Sequence, residues 1–196
     1  MKSMEILERI FGNATKVKVM RLFLFNQDDS FEMDDIVSRT KMSRDKVRKV
    51  VNSLEKIKLI KKSRRGKKPT WSLNEKFSYI KPLREFLVEM APLKHKDIQN
   101  RLKNAGQIKL IAIAGLFIQD PDSRLDLLVV GDKINSRSLE NTLRNMEAEI
   151  GRELNYAFFE TDDFEYRLSM YDKLIRDVLD YPHEMVVNKF EDLTKI

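Results

Sequence analysis

Residues 34–73 read DDIVSRTKMSRDKVRKVVNSLEKIKLIKKSRRGKKPTWSL, and the interpretation of the first half of the chain depends on them. Their pattern predicts a short helix, a turn at 40–42, a longer basic helix and then a basic hairpin. Between residues 41 and 68 there are thirteen Lys and Arg side chains against two acids, Asp45 and Glu55, which gives a net charge of +11. So dense a positive charge on a folded segment indicates a polyanionic partner, and this order of elements favours duplex DNA.

The basic helix is predicted over residues 43–57, with Ser43 as its N-cap residue. Apolar side chains recur at helical spacing and predict one buried stripe, formed by Val47, Val50, Val51, Leu54 and Ile57. The opposite face includes Lys49 and Asn52. Arginine and lysine donate to guanine O6 and N7, and asparagine pairs with adenine, so this face suits the major groove. A merely solvated helix face is the alternative.

The hairpin is predicted over residues 59–73, with a turn in which Gly66 can adopt a positive φ. On its return strand, Trp71 and Leu73 are predicted to face the same side. The cationic tip can rest on phosphates or place an arginine in the minor groove. The side chains of helix and hairpin that are predicted to contact DNA are Ser43, Arg44, Lys46, Arg48, Lys49, Asn52, Lys61, Lys62, Arg64, Arg65, Lys67 and Lys68.

The line SRDKVRKVVNSLEKIKLI at residues 43–60 resembles the recognition helix of winged helix-turn-helix regulators of the arsenic-repressor-like group, and the resemblance covers residues 4–73. That group usually has a glycine before the apolar pair that begins the wing, whereas this chain has Lys58 there. The resemblance implies a sequence-specific transcriptional regulator that binds double-stranded DNA. It also implies a homodimer paired through helices predicted over 77–87 and 93–102, with recognition helices ~34 Å apart on a pseudo-palindromic site. A helix packed only on its own chain is the alternative to that dimer.

Charge is divided unevenly along the 196 residues. Residues 1–104 carry 26 basic and 13 acidic side chains and residues 105–196 carry 11 and 18, so the net charges are +13 and −7. This asymmetry predicts two domains with different tasks. The absence of cysteine excludes disulfides and thiolate metal sites and fits a cytoplasmic protein. No apolar run has the length of a membrane span, so no membrane partner is expected.

The second half of the chain is predicted to form an α/β domain. Continuous apolar runs indicate buried strands over 108–114 and 125–131, and a third strand is predicted over 154–159. One helix is predicted over 135–150, and a second is predicted to start at Thr161 as cap and to run towards residue 181. Strands that alternate with helices indicate a sheet covered by helices.

The order strand, glycine, loop, and strand with an aspartate resembles the minimal nucleotidyltransferase fold. In that family a Gly-Ser pair holds nucleotide phosphate, and three carboxylates hold divalent metal for phosphoryl transfer. Here Leu116 follows Gly115, Arg124 stands at the first carboxylate position and Asn155 at the third, so only Asp126 matches. We therefore expect an inactive relative, with no catalytic residue, no metal and no cofactor.

A cleft shaped for a nucleotide can be retained after the chemistry is lost. The candidate pocket for a nucleotide or small-molecule effector is formed by Gly115, Arg124, Asp126 and Arg137. A purely structural or dimerising domain is an equally open interpretation.

The predicted layout is a winged helix-turn-helix domain over 1–75, a helical dimerisation region over 76–104 and a nucleotidyltransferase-like mixed sheet with helices over 105–196. Two other functions stay open. One is an active nucleotidyltransferase that modifies a protein or RNA, and the other is an antitoxin-like protein that binds a partner.

Overall fold

Helices and strands combine around two separate sheets, so the fold is mixed α and β, as the sequence predicts. The computed structural model describes residues 3–64, 66–89, 93, 95–120 and 122–190. The chain divides into two units. The N-terminal unit comprises Met1–Pro92 and Arg144–Glu153, and the C-terminal unit comprises Leu93–Leu143 and Leu154–Ile196. Within the described residues, no helix combines the length and apolar character needed to cross a membrane.

The N-terminal unit begins with helices α1 (Ser3–Phe11) and α2 (Ala14–Phe25). Asn13 caps α2, because its side-chain oxygen accepts from the backbone N–H of Lys16 at 2.8 Å. α2 is buried over much of its surface and supplies the core residues Val17, Val19, Met20, Leu22, Phe23 and Leu24. The elements that follow are β1 (Ser30–Glu32), α3 (Met33–Thr40), α4 (Arg44–Lys56), β2 (Ile60–Ser63), β3 (Thr70–Leu73) and α5 (Ile80–Glu89).

The three strands form an antiparallel sheet in the order β1-β3-β2. Trp71 in the central strand pairs with Phe31 on one side and Lys62 on the other, so the predicted hairpin is present. Trp71 and Leu73 are both buried, as the alternation predicts. The predicted turn between α3 and α4 is also present, and Lys41 occupies the left-handed region there with φ 53°.

The predicted apolar stripe of α4 is confirmed except at its last member. Val47, Val51 and Leu54 are fully buried, whereas Ile57 is 53% exposed. The reason is that α4 ends at Lys56, and Lys58 at φ 60° turns the chain before the next helical turn is complete. Leu59 then takes the inward place and is fully buried. Lys58 therefore adopts a left-handed conformation that favours glycine.

A short segment near residue 150 completes the N-terminal unit, and its role was not predicted. The buried guanidinium of Arg21 donates to the carbonyl oxygen of Glu149 at 3.0 Å and to that of Leu87 at 2.9 Å. Burial lowers the pKa of Arg21 to about 10, although nearby Glu149 opposes that shift. Gly151 has φ +89°, and a Cβ there would lie 2.6 Å from the Cβ of Arg21, so no larger residue fits.

The C-terminal unit is built on a four-stranded sheet in the order β6-β5-β4-β7. β5 is antiparallel to β4 and parallel to β6, and β7 adds an antiparallel edge beside β4. Part of its core lies between this sheet and two helices, where Leu110, Leu128, Phe164 and Ile175 pack together. The elements are α6 (His95–Leu102), β4 (Gln107–Ile113), β5 (Leu127–Asp132), α7 (Ser136–Ile150), β6 (Tyr156–Phe159), α8 (Thr161–Ser169), α9 (Lys173–Leu179) and β7 (Glu184–Asn188). The last part of α7, from Arg144, belongs to the N-terminal unit.

The helix predicted from Thr161 to residue 181 is wrong as a single element. It breaks between α8 and α9, where Tyr171 takes φ 55° and Asp172 caps α9 by accepting from the N–H of Leu174 at 2.8 Å. Thr161 is the first residue of α8 rather than its cap, and its hydroxyl donates to Asp132. Strand β7 was not predicted at all, because its side chains are only half-buried and give no continuous apolar run.

Candidate nucleic-acid interface

The outer face of α4 presents the polar side chains that the sequence singles out. The buried valine and leucine stripe fixes the rotation of α4, so the residues between the stripe positions point away from the core. The side chains exposed on this face and at the preceding cap are Ser43, Arg44, Lys46, Arg48, Lys49 and Asn52. Four cations and an amide on this side of α4 are groups that can donate to base edges and phosphates.

The hairpin β2–β3 continues the cationic surface beyond α4. Its exposed cations on the described part of the hairpin are Lys61, Lys62, Arg64, Lys67 and Lys68. The predicted contact at Arg65 lies outside the described residues. The surface therefore has a helical part and a wing part, as the sequence predicts.

A tryptophan fixes the wing against α4. The indole N–H of Trp71 donates to a carboxylate oxygen of Glu55 at 3.1 Å, and the ring is buried. The ammonium of Lys62 lies 5.1 Å from the centre of the Trp71 ring, within the range of a cation–π contact. Glu55, one of the two acids in the basic stretch, is therefore a structural link between helix and wing, and it does not simply dilute the positive charge.

Carboxylates from β1 and α3 reach the cationic surface, and the sequence did not predict this. Arg44 pairs with Asp34, and the ammonium of Lys68 lies 3.0 Å from Glu32 and 3.9 Å from Asp34. The hydrogen bond with Glu32 and the charges of Glu32 and Asp34 raise the pKa of Lys68. Asp35 completes a capping box with Glu32 at the start of α3. The capping pattern indicates acids at the start of α3, but the sequence does not show that this helix start lies near Arg44 and Lys68.

Other cations of the surface have weaker partners or none among the described residues. Arg48 lies 3.4 Å from Asp45, and Lys61 lies 3.4 Å from Glu75, with every member of these pairs more than half exposed. Exposed pairs of this kind contribute about 0–1 kcal/mol and separate easily. Within the described part of the chain, no ion pair involves Lys46, Lys49, Arg64 or Lys67. These four cations are free to meet a polyanion.

The second candidate site lies in the C-terminal unit, where Gly115, Asp126 and Asn155 come together. One carboxylate oxygen of Asp126 accepts from the backbone N–H of Leu116 at 2.7 Å, and the other accepts from that of Asn155 at 2.8 Å. Asp126 is 8% exposed, and a Cβ on Gly115 would lie 2.4 Å from its carboxylate. Asp126 thus joins the end of β4, the start of β5 and the start of β6 through backbone hydrogen bonds.

The two arginines of that predicted pocket lie elsewhere. Arg124 pairs with Asp177 at 2.9 Å, and its side chain is 62% exposed. Arg137 is exposed in the first turn of α7, which follows the opposite end of β5 from Asp126. In the described part of the chain, no group of three or more His, Asp or Glu side chains is arranged to hold a metal ion.

A helical core, a helix-turn-helix and a two-stranded basic wing define the class, which is that of winged helix-turn-helix proteins. Residues 3–109 match the family model described as TFIIE alpha subunit, which is more than half of the 196 residues. The chain therefore belongs to the TFIIE alpha subunit family, a family of winged-helix transcription factors. The predicted winged-helix class is confirmed. The family model that matches is that of the TFIIE alpha subunit, whereas the sequence of residues 43–60 resembles the arsenic-repressor-like group.

No curated protein and no solved structure matches the chain. The family match includes α1 to α6 and the first residues of β4, and it ends before the rest of the C-terminal unit.

Proposed function

We propose that this chain is a transcriptional regulator that recognises particular sequences in double-stranded DNA through α4 and holds the backbone with its wing. One observation carries the proposal. The buried stripe of α4 turns Lys49 and Asn52 outward on a helix that Trp71 links to the basic wing through Glu55. A helix with a fixed rotation and a fixed wing can present the same donors to every duplex it meets, as base reading requires.

The side chains divide into two roles. The wing cations Lys61, Lys62, Arg64, Lys67 and Lys68 supply contacts to phosphate, which raise the affinity for all sequences. On α4, Arg48, Lys49 and Asn52 face the groove and supply the choice between bases, and each good bidentate contact discriminates by about 1–3 kcal/mol.

The active form is a homodimer paired through α1 and α5. Apolar side chains on this side are exposed, with Ile10 at 58%, Phe86 at 36% and Tyr79 at 65%. Phe86 packs edge-on against Phe11 with ring centres 6.3 Å apart, so α1 and α5 form one surface. A two-fold dimer places the two α4 helices about one helical turn of DNA, ~34 Å, apart. Sedimentation of the full chain tests this, and Phe86→Glu should give monomers.

Selection of bound fragments from a random duplex pool tests the recognition itself. We expect an enriched sequence with two half-sites, and we expect Asn52→Ala to change which bases are enriched. Lys67→Ala should weaken all duplexes alike and reduce the log–log salt slope by about 0.9. A pool without enrichment, or an affinity that does not respond to salt, would refute the proposal.

The C-terminal unit has no catalytic role in this proposal and serves assembly or the sensing of a nucleotide or small-molecule effector. The support is that backbone N–H groups occupy both carboxylate oxygens of Asp126, while Arg124 and Asn155 stand where carboxylates would be needed. Incubation with labelled ATP and Mg²⁺ tests the alternative of an active nucleotidyltransferase. Label transfer that is lost in a folded Asp126→Asn variant would overturn the assignment.

A further inference from the structure

Large apolar side chains are exposed on α8 and α9 and in the short segments that follow each of these helices. Tyr166, Met170, Tyr171, Leu174 and Tyr181 form what we call the α8–α9 aromatic face. Tyr171 is 76% exposed, and Tyr166 and Met170 are each 64% exposed. Of the nine exposed large apolar side chains in the described part of the chain, these five fall within sixteen residues. Such clustering distinguishes an interaction surface from scattered surface apolar residues, which need no explanation.

The local structure explains why these side chains are left outside. Phe164, Ile175 and Val178 point into the core and are buried, so both helices already have an inner face. The left-handed Tyr171 ends α8 and turns the chain into α9. Met170 is one helical turn beyond Tyr166, since its N–H donates to the carbonyl oxygen of Tyr166 at 3.1 Å.

Arg176 lies near two tyrosines of the face, Tyr171 and Tyr181. The hydrogen bond with Asp180, 2.7 Å from the guanidinium, raises the pKa of Arg176, and the phenols of Tyr171 and Tyr181 are close enough to add to that rise. Tyr171 and Tyr181 therefore both lie near this arginine. Tyrosine and methionine are enriched at the centres of protein interfaces, where tyrosine often supplies much of the binding energy.

The surroundings of the face are acidic. Residues 160–184 hold eight Asp and Glu side chains and three Lys and Arg side chains, a net charge of −5. Two of those cations are tied to neighbouring acids, because Arg167 lies 3.0 Å from Asp163 and Arg176 lies 2.7 Å from Asp180. The acids Asp162 and Glu165 are exposed on α8 beside Tyr166. The face is thus apolar at its centre and negative at its rim.

We infer that the α8–α9 aromatic face binds a basic amphipathic protein segment, whose apolar side chains contact the tyrosines and whose Lys or Arg residues meet the acidic rim. The negative charge around the face favours a basic segment over the other possible partners. If two copies of this chain met through the face, two segments with a net charge of −5 each would repel one another. The same acids would repel nucleic acid or an anionic membrane. The face lies outside residues 3–109, so the family match does not account for it.

Fluorescence anisotropy with defined peptides tests the inference on the full chain. The probe is a labelled fifteen-residue peptide with leucine at helical spacing and lysine elsewhere. Two comparison peptides replace every lysine by glutamate or every leucine by serine. We expect the leucine–lysine probe alone to bind tightly. The double variant Tyr171→Ser/Tyr181→Ser should raise its Kd at least about tenfold, the size expected when interface tyrosines are lost.

Ile57→Ser is the matched control, because Ile57 is 53% exposed in the N-terminal unit and its replacement should leave the Kd unchanged. Should the double variant fail to fold by circular dichroism, Glu165→Lys tests the rim and should weaken the lysine probe. Equal binding by wild type and folded variants, or equal binding of the serine–lysine peptide, would overturn the inference. Self-association that Tyr171→Ser/Tyr181→Ser abolishes would overturn it in favour of a second copy.

Discussion

In the proposed DNA complex, the carboxylate of Asp34 would compete with phosphate for cations of the surface, and its removal should strengthen DNA binding. Asp34 pairs with Arg44 at the start of α4 and lies 3.9 Å from the ammonium of Lys68 on the wing. Both cations must leave, or share, this carboxylate when they contact phosphate. Asp34→Asn removes the negative charge and keeps a side chain of the same size at the start of α3.

The expected gain follows from the exposure of the pair. The side chains of Arg44 and Asp34 are 53% and 60% exposed, so their pairing is worth about 0.2–1 kcal/mol. Releasing Arg44 should therefore lower the Kd for any duplex about 1.4- to 5-fold. The released Arg44, once it contacts phosphate, should steepen the log–log salt slope by about 0.9, whereas Lys68 stays paired with Glu32 at 3.0 Å.

Fluorescence anisotropy with one duplex at several salt concentrations measures both quantities. Asp29→Asn is the matched control, since it removes the same charge just before β1, at the end of that strand away from the wing turn. Beyond about 10 Å the effect of a surface charge is largely screened at 0.1 M salt. We expect the control to change the Kd less and to leave the salt slope as it is.

Two outcomes would refute this reasoning. An unchanged slope and Kd in a folded Asp34→Asn variant would mean that Arg44 does not contact phosphate. A weaker affinity would mean that Asp34 orients Arg44 for binding and does not compete with DNA.

Other features of the structure give further predictions. Lys58 has φ 60°, so Lys58→Gly should be stabilising or neutral within about 1 kcal/mol, while Lys58→Val should cost about 1–2 kcal/mol, measured by urea unfolding with the single Trp71 as the probe. Asp126→Ala should leave the N–H groups of Leu116 and Asn155 without their acceptor, at about 1–3 kcal/mol each, and an unchanged thermal transition of the C-terminal unit would contradict this. The Thr161 hydroxyl and Lys109 lower the pKa of Asp132 below its ordinary 3.8, so the stability that Asp132 contributes is present above that value and is lost as the pH falls through the folded-state pKa. Wild type should therefore be more stable than Asp132→Asn near neutral pH, and the difference in their free energies of unfolding should disappear as the pH falls through the folded-state pKa.

Local sequence patterns predicted the structure correctly where a single helix or strand has one buried face. The spacing of Val47, Val51 and Leu54 predicted the rotation of α4, because the helical period alone places them on one side. The alternation around Trp71 predicted the return strand of the wing for the same reason. Ile57 was misassigned because the period continues in the sequence after the helix has ended. What ends it is the left-handed Lys58, and a lysine gives no signal for that conformation.

Contacts between distant parts of the chain could not be predicted from local patterns. Arg21 and Glu149 are 128 residues apart, yet their hydrogen bond ties the end of α7 to α2 within the N-terminal unit. The acids near the wing illustrate the same limit on a shorter scale. Glu32 and Asp34 belong to the start of α3, and only the fold brings them to Lys68. Sequence alone gave the number of cations, whereas the structure gives the number that carboxylates already hold.

The number of cations that carboxylates already hold determines the slope expected in a salt titration of DNA binding. If all thirteen cations between residues 41 and 68 contacted phosphate, the log–log slope would be about −12. Arg44 and Lys68 are held by Glu32 and Asp34, and Lys62 is engaged with the ring of Trp71, so the slope should fall well short of that value. Phosphate contacts raise affinity without choosing between sequences, so carboxylates that occupy these cations weaken binding to every duplex alike. Asn52 has no charge to be held in this way, so in the proposed complex its base contact would keep its full effect while non-specific binding is weakened.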